Sequence, residues 1–339
     1  MTGKGMTRIT TLAIAITPQE ASDFFPEPIL SGIRSLAVDC RIIDTAGLSA
    51  EAFGRELAAI DPDVLVTCWS TPPLPADLPP RLRYVCHITG GVRQLVARTQ
   101  LERGLILTNW GGSISRVVAE CALLLALAAL RRAGRWIPAM HAAGAWRDDR
   151  PEGVSLFERR VGLHGFGQVA RELTKLLAPF GVEIGVCAPE KDPALYAAHG
   201  ARRVATLEEL FAGHDVIFEL APLTPATAGI VTERLLRLIP PGGVFVNVAR
   251  GKVVDEAALL RVAREGRIHV GLDVYATEPL PADSGFRGLP NAVLLPHIAG
   301  PTLERRCDAG AFAARNLKAY AEGRPLEAVI TPEVFDLAP

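Results

Sequence analysis

Short apolar runs and longer segments of helical period alternate along this chain. Strand-like runs fall at Leu12–Ile16, Arg41–Ile43, Val64–Thr67, Tyr84–Cys86 and Leu105–Leu107. Between them, apolar residues recur at helical spacing over Pro28–Ala37, Ala50–Ile60 and Val92–Arg103. Pro72, Pro73, Pro75, Pro79 and Pro80 crowd one connection, which must run as an extended surface loop. A longer stretch, Val117–Leu130, is apolar except for Glu120. Ser113 or Ser115 can cap its start, and Arg131, Arg132 and Gly134 end it, so it reads as a buried helix. A second alternating series then begins. Its strands are predicted at Val161–His164, Glu183–Cys187, Val216–Leu220, Val244–Val248, His269–Val274 and Val293–Leu295. Its helices are predicted at Val169–Phe180, Leu207–Ala212, Glu233–Leu238 and Glu256–Arg264. A last helix, Leu303–Glu322, has spare apolar surface and is expected to return to the first series.

Strictly alternating strands and helices predict an α/β chain with parallel sheets. Its 339 residues exceed what one core usually holds, roughly 250–300 residues, so two domains are expected. Each is read as a doubly wound, Rossmann- or flavodoxin-like parallel sheet. One comprises residues 1–111 with 301–339, and the other residues 112–300. Hinges are expected near Gly111-Gly112 and Gly300-Pro301, with the active site in the cleft between the domains.

Composition narrows the picture further. The formal net charge is −1 and no long block of like charge occurs, so neither nucleic acid nor an anionic membrane is an expected partner. Leu12–Ile16 superficially resembles a signal peptide core, but it lacks a small-residue cleavage site and runs into Pro18-Gln19-Glu20. Val117–Leu130 is too short to span a bilayer comfortably. The six cysteines, at 40, 68, 86, 121, 187 and 307, form no C-x-x-C and no cluster with histidine. They are read as reduced core thiols of a cytoplasmic protein, with no metal site.

One turn carries a specific signal. Val161–His164 reads as a strand, and Gly165-Phe166-Gly167-Gln168-Val169-Ala170 fits G-x-G-x-x-G/A at a strand-to-helix turn. Gly165 permits the turn, Gly167 lets the backbone approach a pyrophosphate, and Ala170 lets the helix pack close to its strand. The amides and positive end of that helix then favour phosphate. In open α/β sheets, ligands sit beyond the carboxyl ends of the strands. Three strand ends read Asn247-Val248-Ala249-Arg250-Gly251, Asp273-Val274-Tyr275-Ala276-Thr277-Glu278-Pro279 and Pro296-His297-Ile298-Ala299-Gly300. An arginine, a glutamate and a histidine are thus expected along one edge. Guanidinium suits a carboxylate. Imidazole suits proton transfer near neutrality. A carboxylate on its second nitrogen would orient the ring.

With these stretches, Ala221–Thr227 (Ala-Pro-Leu-Thr-Pro-Ala-Thr), Val253–Leu259 and Ala119-Glu120, the chain resembles the D-isomer-specific 2-hydroxyacid dehydrogenase family over nearly its whole length. The resemblance implies an NAD(P)-dependent oxidoreductase that transfers a hydride between NAD(H) or NADP(H) and a small 2-oxo or D-2-hydroxy acid. Arg250 would bind the substrate, and Glu278 and His297 would form the catalytic pair. Asp273 would meet the nicotinamide carboxamide. Gly165, Phe166, Gly167, Gln168, Val169, Pro222, Thr227 and Ala249 would complete the cofactor site. It further implies a homodimer, here expected through Ser115–Leu130 and a loop at Trp136–Trp146.

Two positions depart from the family pattern. The strand after the glycine-loop helix usually ends in an aspartate for the adenosine ribose, where this chain has Ala188. Lys191 follows in the same loop and could attract a 2′-phosphate, with Glu190 beside it. The glycine-bearing loop that meets the substrate carboxylate from the first domain is His87-Ile88-Thr89-Gly90-Gly91-Val92-Arg93. Thr89, Gly90 and Gly91 are its expected contacts, and His87 and Arg93 could enter the pocket. Two alternatives stay open: an enzyme of this fold acting on another anion, such as phosphite, and a nucleotide-sensing, corepressor-like binding protein. His141, His199, His214 and His269 show no partner logic.

Overall fold

The computed structural model describes residues 9–147, 152–188 and 192–337. Its contacts divide the chain into two compact units, Met1–Ile114 with Pro301–Pro339, and Ser115–Gly300.

The first unit holds five parallel strands in the order β2-β1-β3-β4-β5: β1 (Ile9–Ala15), β2 (Ala37–Ile43), β3 (Val64–Thr67), β4 (Tyr84–His87) and β5 (Ile106–Thr108). β3 and β4 are buried at every residue, which explains why they are apolar except where each ends, at Thr67 and His87. A parallel strand covered on both faces has no side to leave polar. β2, at an edge, leaves Val38 and Ile42 exposed. The Arg306–Ala321 helix belongs to this unit and packs on the Pro18–Phe24 helix. The crossing is tight, because a Cβ on Gly310 would lie 1.7 Å from the Phe24 carbonyl oxygen.

Local chemistry corrects several expectations in this unit. Pro18–Phe24 is a helix, started by a capping box in which Thr17 and Glu20 satisfy each other's backbone amides. Val92–Arg103 is helical only over Arg98–Glu102, while Val92, Leu95 and Val96 are buried in the turns before it. The helix expected over Pro28–Ala37 is confined to Ile29–Arg34, because β2 already begins at Ala37. A further short helix, Pro332–Leu337, escapes the hydrophobic pattern.

The second unit is built on seven parallel strands in the order β12-β11-β10-β9-β6-β7-β8. They are β6 (Arg160–His164), β7 (Glu183–Cys187), β8 (Ala201–Arg203), β9 (Val216–Glu219), β10 (Val244–Asn247), β11 (His269–Leu272) and β12 (Ala292–Leu294). That is one strand more than the pattern predicts. β8 is three residues of half-exposed edge with no apolar run to announce it. The Ser115–Leu130 helix lies against β10 and β11 with Ala119, Ala122, Leu125 and Ala126 buried. Small residues let it come close, and a Cβ on Gly271 of β11 would meet Leu125 Cβ at 2.9 Å. Truncating a side chain in this core, Leu125 or Phe218 for example, would cost about 3–5 kcal/mol. Ala133–Ala143 is a helix rather than the expected loop, despite Gly134 and Pro138. Among the described residues, no helix is long and apolar enough to cross a membrane.

Candidate active site

Strand register in the second unit aligns a row of mostly polar residues across the carboxyl edge of the sheet. Cys187, His164, Glu219 and Asn247 are neighbours in successive strands, and Leu272 follows. Several side chains in or just beyond this row turn back to hold the next loop. Glu219 accepts the Ala221 amide at 2.9 Å, and Asn247 accepts the Ala249 amide at 3.0 Å while donating to the Arg250 carbonyl. Asp273, one residue past β11, accepts the Ile298 and Ala299 amides at 2.8 and 2.9 Å. The loops at this edge are therefore fixed by side chains from the strands beneath them, as a preorganised site requires.

His297 and Glu278 meet within this frame. His297 Nδ1 lies 2.6 Å from Glu278 Oε2, and Glu278 Oε1 accepts the Tyr275 amide at 2.9 Å. The side chains remain 47% and 34% exposed, so the pair is open to a ligand. His297 has φ +56°, in the left-handed region that any Cβ disfavours. The amides of the next two residues, clamped on Asp273, hold it there. Burial raises the Asp273 carboxyl above its ordinary value, and the two amides oppose that rise. Because each of its oxygens already accepts a backbone amide, Asp273 serves the His297 loop directly.

Arg250 follows β10 and donates to the Ala249 carbonyl at 2.6 Å. Burial lowers its pKa, and the nearby negative charge of Glu278 opposes that shift. Gly251, which the sequence analysis did not single out, explains how these loops come together. A Cβ there would lie 1.9 Å from the Tyr275 carbonyl carbon and 2.4 Å from the Ala276 nitrogen. Only a glycine allows the Arg250 loop to touch the Glu278 loop. Glu256, also not singled out, accepts the Ala276 amide at 2.6 Å and fixes the same contact.

The glycine turn fits a dinucleotide. Gly165 has φ +92°, and a Cβ there would lie 2.9 Å from Ala221 N, so its turn presses on the Ala221 loop. Over Gly167 a Cβ would meet nothing within 4 Å, which leaves open space at the start of the ten-residue Gln168–Leu177 helix. Gln168 is exposed, Val169 half-buried and Ala170 buried. Phe166 is buried instead and packs on Tyr196, ring centroids 5.0 Å apart. Pro222 and Thr227 belong to the adjoining loop, which Thr227 staples by donating to the Pro222 carbonyl at 2.6 Å. Ala188, just past β7, is buried, and its carbonyl accepts the Tyr196 hydroxyl at 3.3 Å. Glu190 and Lys191 lie outside the described residues.

In the first unit, Thr89, Gly90 and Gly91 follow β4. Gly90 is covered by Trp110, whose Nε1 a Cβ would approach to 2.8 Å. His87 does not open to a ligand. It is buried between Thr67 and Thr89, with Nδ1 2.9 Å from Thr67 Oγ1 and Nε2 2.5 Å from Thr89 Oγ1. Burial pushes its pKa down to about 4. Arg93 is likewise committed elsewhere, donating to the Phe335 and Asp336 carbonyls. Of the four histidines without evident partners, His214 is buried with Nδ1 2.7 Å from the Leu210 carbonyl.

A family model described as D-isomer specific 2-hydroxyacid dehydrogenase, NAD binding domain, matches residues 123–299. A glyoxylate reductase of Thermococcus onnurineus is 31% identical over 271 residues, which cover 77% of this chain and 80% of that protein. Glyoxylate/hydroxypyruvate reductase B of Yersinia enterocolitica is 32% identical over 265 residues, covering 76% and 80%. Among solved structures, a glyoxylate reductase from Paecilomyes thermophila superposes with a TM-score of 0.80 at 26% identity, covering 96% of this chain and 99% of that one.

Proposed function

Because the chain belongs to the D-isomer specific 2-hydroxyacid dehydrogenase family, we propose that it moves a hydride between a nicotinamide cofactor and C2 of a small 2-oxo or 2-hydroxy acid. The observation that carries this reading is the His297–Glu278 pair, open to a ligand and joined through Gly251 to the Arg250 loop.

In the direction of reduction, a nicotinamide cofactor held at the glycine turn would supply the hydride for C2. His297, held through Nδ1 by Glu278, delivers the proton from Nε2 to the oxygen as it gains charge. Glu278 keeps the ring oriented and balances the imidazolium. Arg250 takes the substrate carboxylate, because its fork of donors matches two carboxylate oxygens. Gly165–Val169 and the Ala221–Thr227 loop would hold the dinucleotide, and Ala249 and Asp273 would meet its nicotinamide end.

The coenzyme preference follows from Ala188. A carboxylate there would accept ribose hydroxyls and repel a 2′-phosphate, and alanine does neither. NADPH is therefore accepted at least as readily as NADH. Ala188→Asp should shift kcat/KM toward NADH by about tenfold or more, the worth of one charged hydrogen bond. A wild type preferring NADH a hundredfold overturns this reading.

A homodimer fits the exposed apolar face of the second unit, which carries Leu124, Ile137, Met140 and Trp146. A groove of about 710 Å³ lined by Pro138, Leu289 and Val293 continues it. Light scattering on the purified chain tests this. The decisive assay for function is oxidation of NADH and NADPH with glyoxylate, hydroxypyruvate and larger 2-oxo acids. Turnover of none of them would overturn the reading.

A further inference from the structure

A second histidine–glutamate pair lies in the same sheet and takes no part in the chemistry above. His164 ends β6 and Glu219 ends β9, with Nδ1 and Oε2 2.6 Å apart. Glu219 is fully buried and His164 nearly so. No lysine or arginine forms an ion pair with Glu219 among the described residues.

What surrounds the pair is the cofactor turn. The residue after His164 is Gly165, whose amide donates to the Cys187 carbonyl at 2.9 Å. The residue after Glu219 is Leu220, whose amide donates to the His164 carbonyl at 2.9 Å. Glu219 spends its other oxygen on the Ala221 amide. Between the two turns there is no slack, since a methyl on Gly165 would meet Leu220 and Ala221 backbone at 2.9 Å. A sheet interior does not need ionisable groups here. An apolar pair of similar volume would avoid their desolvation and is often as stable or more so. What an apolar pair cannot do is hold the Ala221 amide and set the distance between β6 and β9 by a directional bond.

We propose that His164 and Glu219 are positioning residues for the dinucleotide. They lock the Gly165–Gly167 turn against the Ala221–Thr227 loop, so that the phosphates meet amides already in place. The inference rests on the reading of Gly165–Val169 as the dinucleotide site. It assigns the pair to coenzyme affinity and leaves proton transfer to His297.

The test is the double variant H164L/E219L, with E219Q as an isosteric companion. Thermal unfolding, NADH and NADPH titration by calorimetry, and kcat with the oxo acid KM at saturating coenzyme are measured on each. The double variant should unfold at or above the wild-type temperature, yet bind its coenzyme about tenfold more weakly, the worth of a lost hydrogen bond. Its kcat and oxo acid KM at saturating coenzyme should stay within about twofold. E219Q, which keeps an acceptor for Ala221, should lie between it and wild type. Coenzyme affinity within twofold of wild type in the double variant overturns the proposal. So does a fall in kcat that matches the loss of affinity. Should the double variant fail to fold, E219Q decides, and an unchanged coenzyme dissociation constant in it overturns the proposal. A wild type that binds neither coenzyme refutes the functional reading itself, an outcome separate from all of these.

Discussion

The second unit contains one side-chain pair twice, in two surroundings. His297 with Glu278 and His164 with Glu219 both place Nδ1 2.6 Å from Oε2, and in both the glutamate's other oxygen accepts a backbone amide. The first pair is 47% and 34% exposed, the second 7% and 0%. The first sits on loops after β11 and β12, and the second joins β6 to β9 inside the sheet. A histidine bonded to a glutamate is thus no signature of catalysis. Access to a ligand is what the exposed pair has and the buried pair lacks.

The sharpest way to break this comparison is to remove the exposed ring. His297→Ala should lower kcat for 2-oxo acid reduction by on the order of 10²–10⁴-fold, the usual worth of a positioned acid. Coenzyme affinity, read by titration, should move little. A variant keeping most of its kcat, with chemistry rate-limiting, would return His297 to the class of His164. Stability separates the pairs in the opposite sense. Glu219→Ala leaves a buried partner unpaired and should cost about 3–5 kcal/mol in denaturant unfolding. Glu278→Ala, at the surface, should cost about 1 kcal/mol or less. Equal losses would mean that exposure does not distinguish them.

His87 supplies a third case, a buried ring in the first unit held by two hydroxyls and no carboxylate. Its pKa is about 4 folded, against an ordinary value near 6.5. The unfolded chain therefore takes up this proton first as pH falls, and the native state loses stability from about pH 6.5 down to about pH 4. The loss amounts to at most about 3 kcal/mol for this group. His87→Gln should flatten that part of the curve of unfolding free energy against pH, and an unchanged slope would mean that other groups carry it. A smaller effect is expected from Glu278→Gln. Losing the carboxylate that holds Nδ1 should lower kcat by about tenfold, the worth of one charge-assisted hydrogen bond, with coenzyme affinity unmoved. An unchanged kcat under rate-limiting chemistry would remove the Glu278 charge from the mechanism.

Sequence reasoning reached the exposed pair and missed the buried one, for a physical reason. Arg250, Glu278 and His297 stand in loops just past apolar runs, where a polar residue has no packing explanation. Glu219 sits at the end of an apolar strand and His164 at the end of another, 55 residues away in sequence, so neither shows its partner. Gly251 was equally silent, because the carbonyl it accommodates belongs to Tyr275 in another loop. Strands such as β3 and β7 were legible as short apolar runs between turn residues. The Ala133–Ala143 helix was not, since Gly134 reads as the end of the helix before it. Gly134 is there because a Cβ would lie 2.1 Å from the Ala292 carbonyl oxygen.

The left-handed backbone of His297 has a consequence for engineering. A non-glycine residue in that region costs about 1 kcal/mol relative to glycine. A library screened for heat resistance alone would therefore favour glycine at position 297 and discard the imidazole. Directed evolution of this enzyme toward hardiness has to select for turnover at every round, or hold that one codon constant.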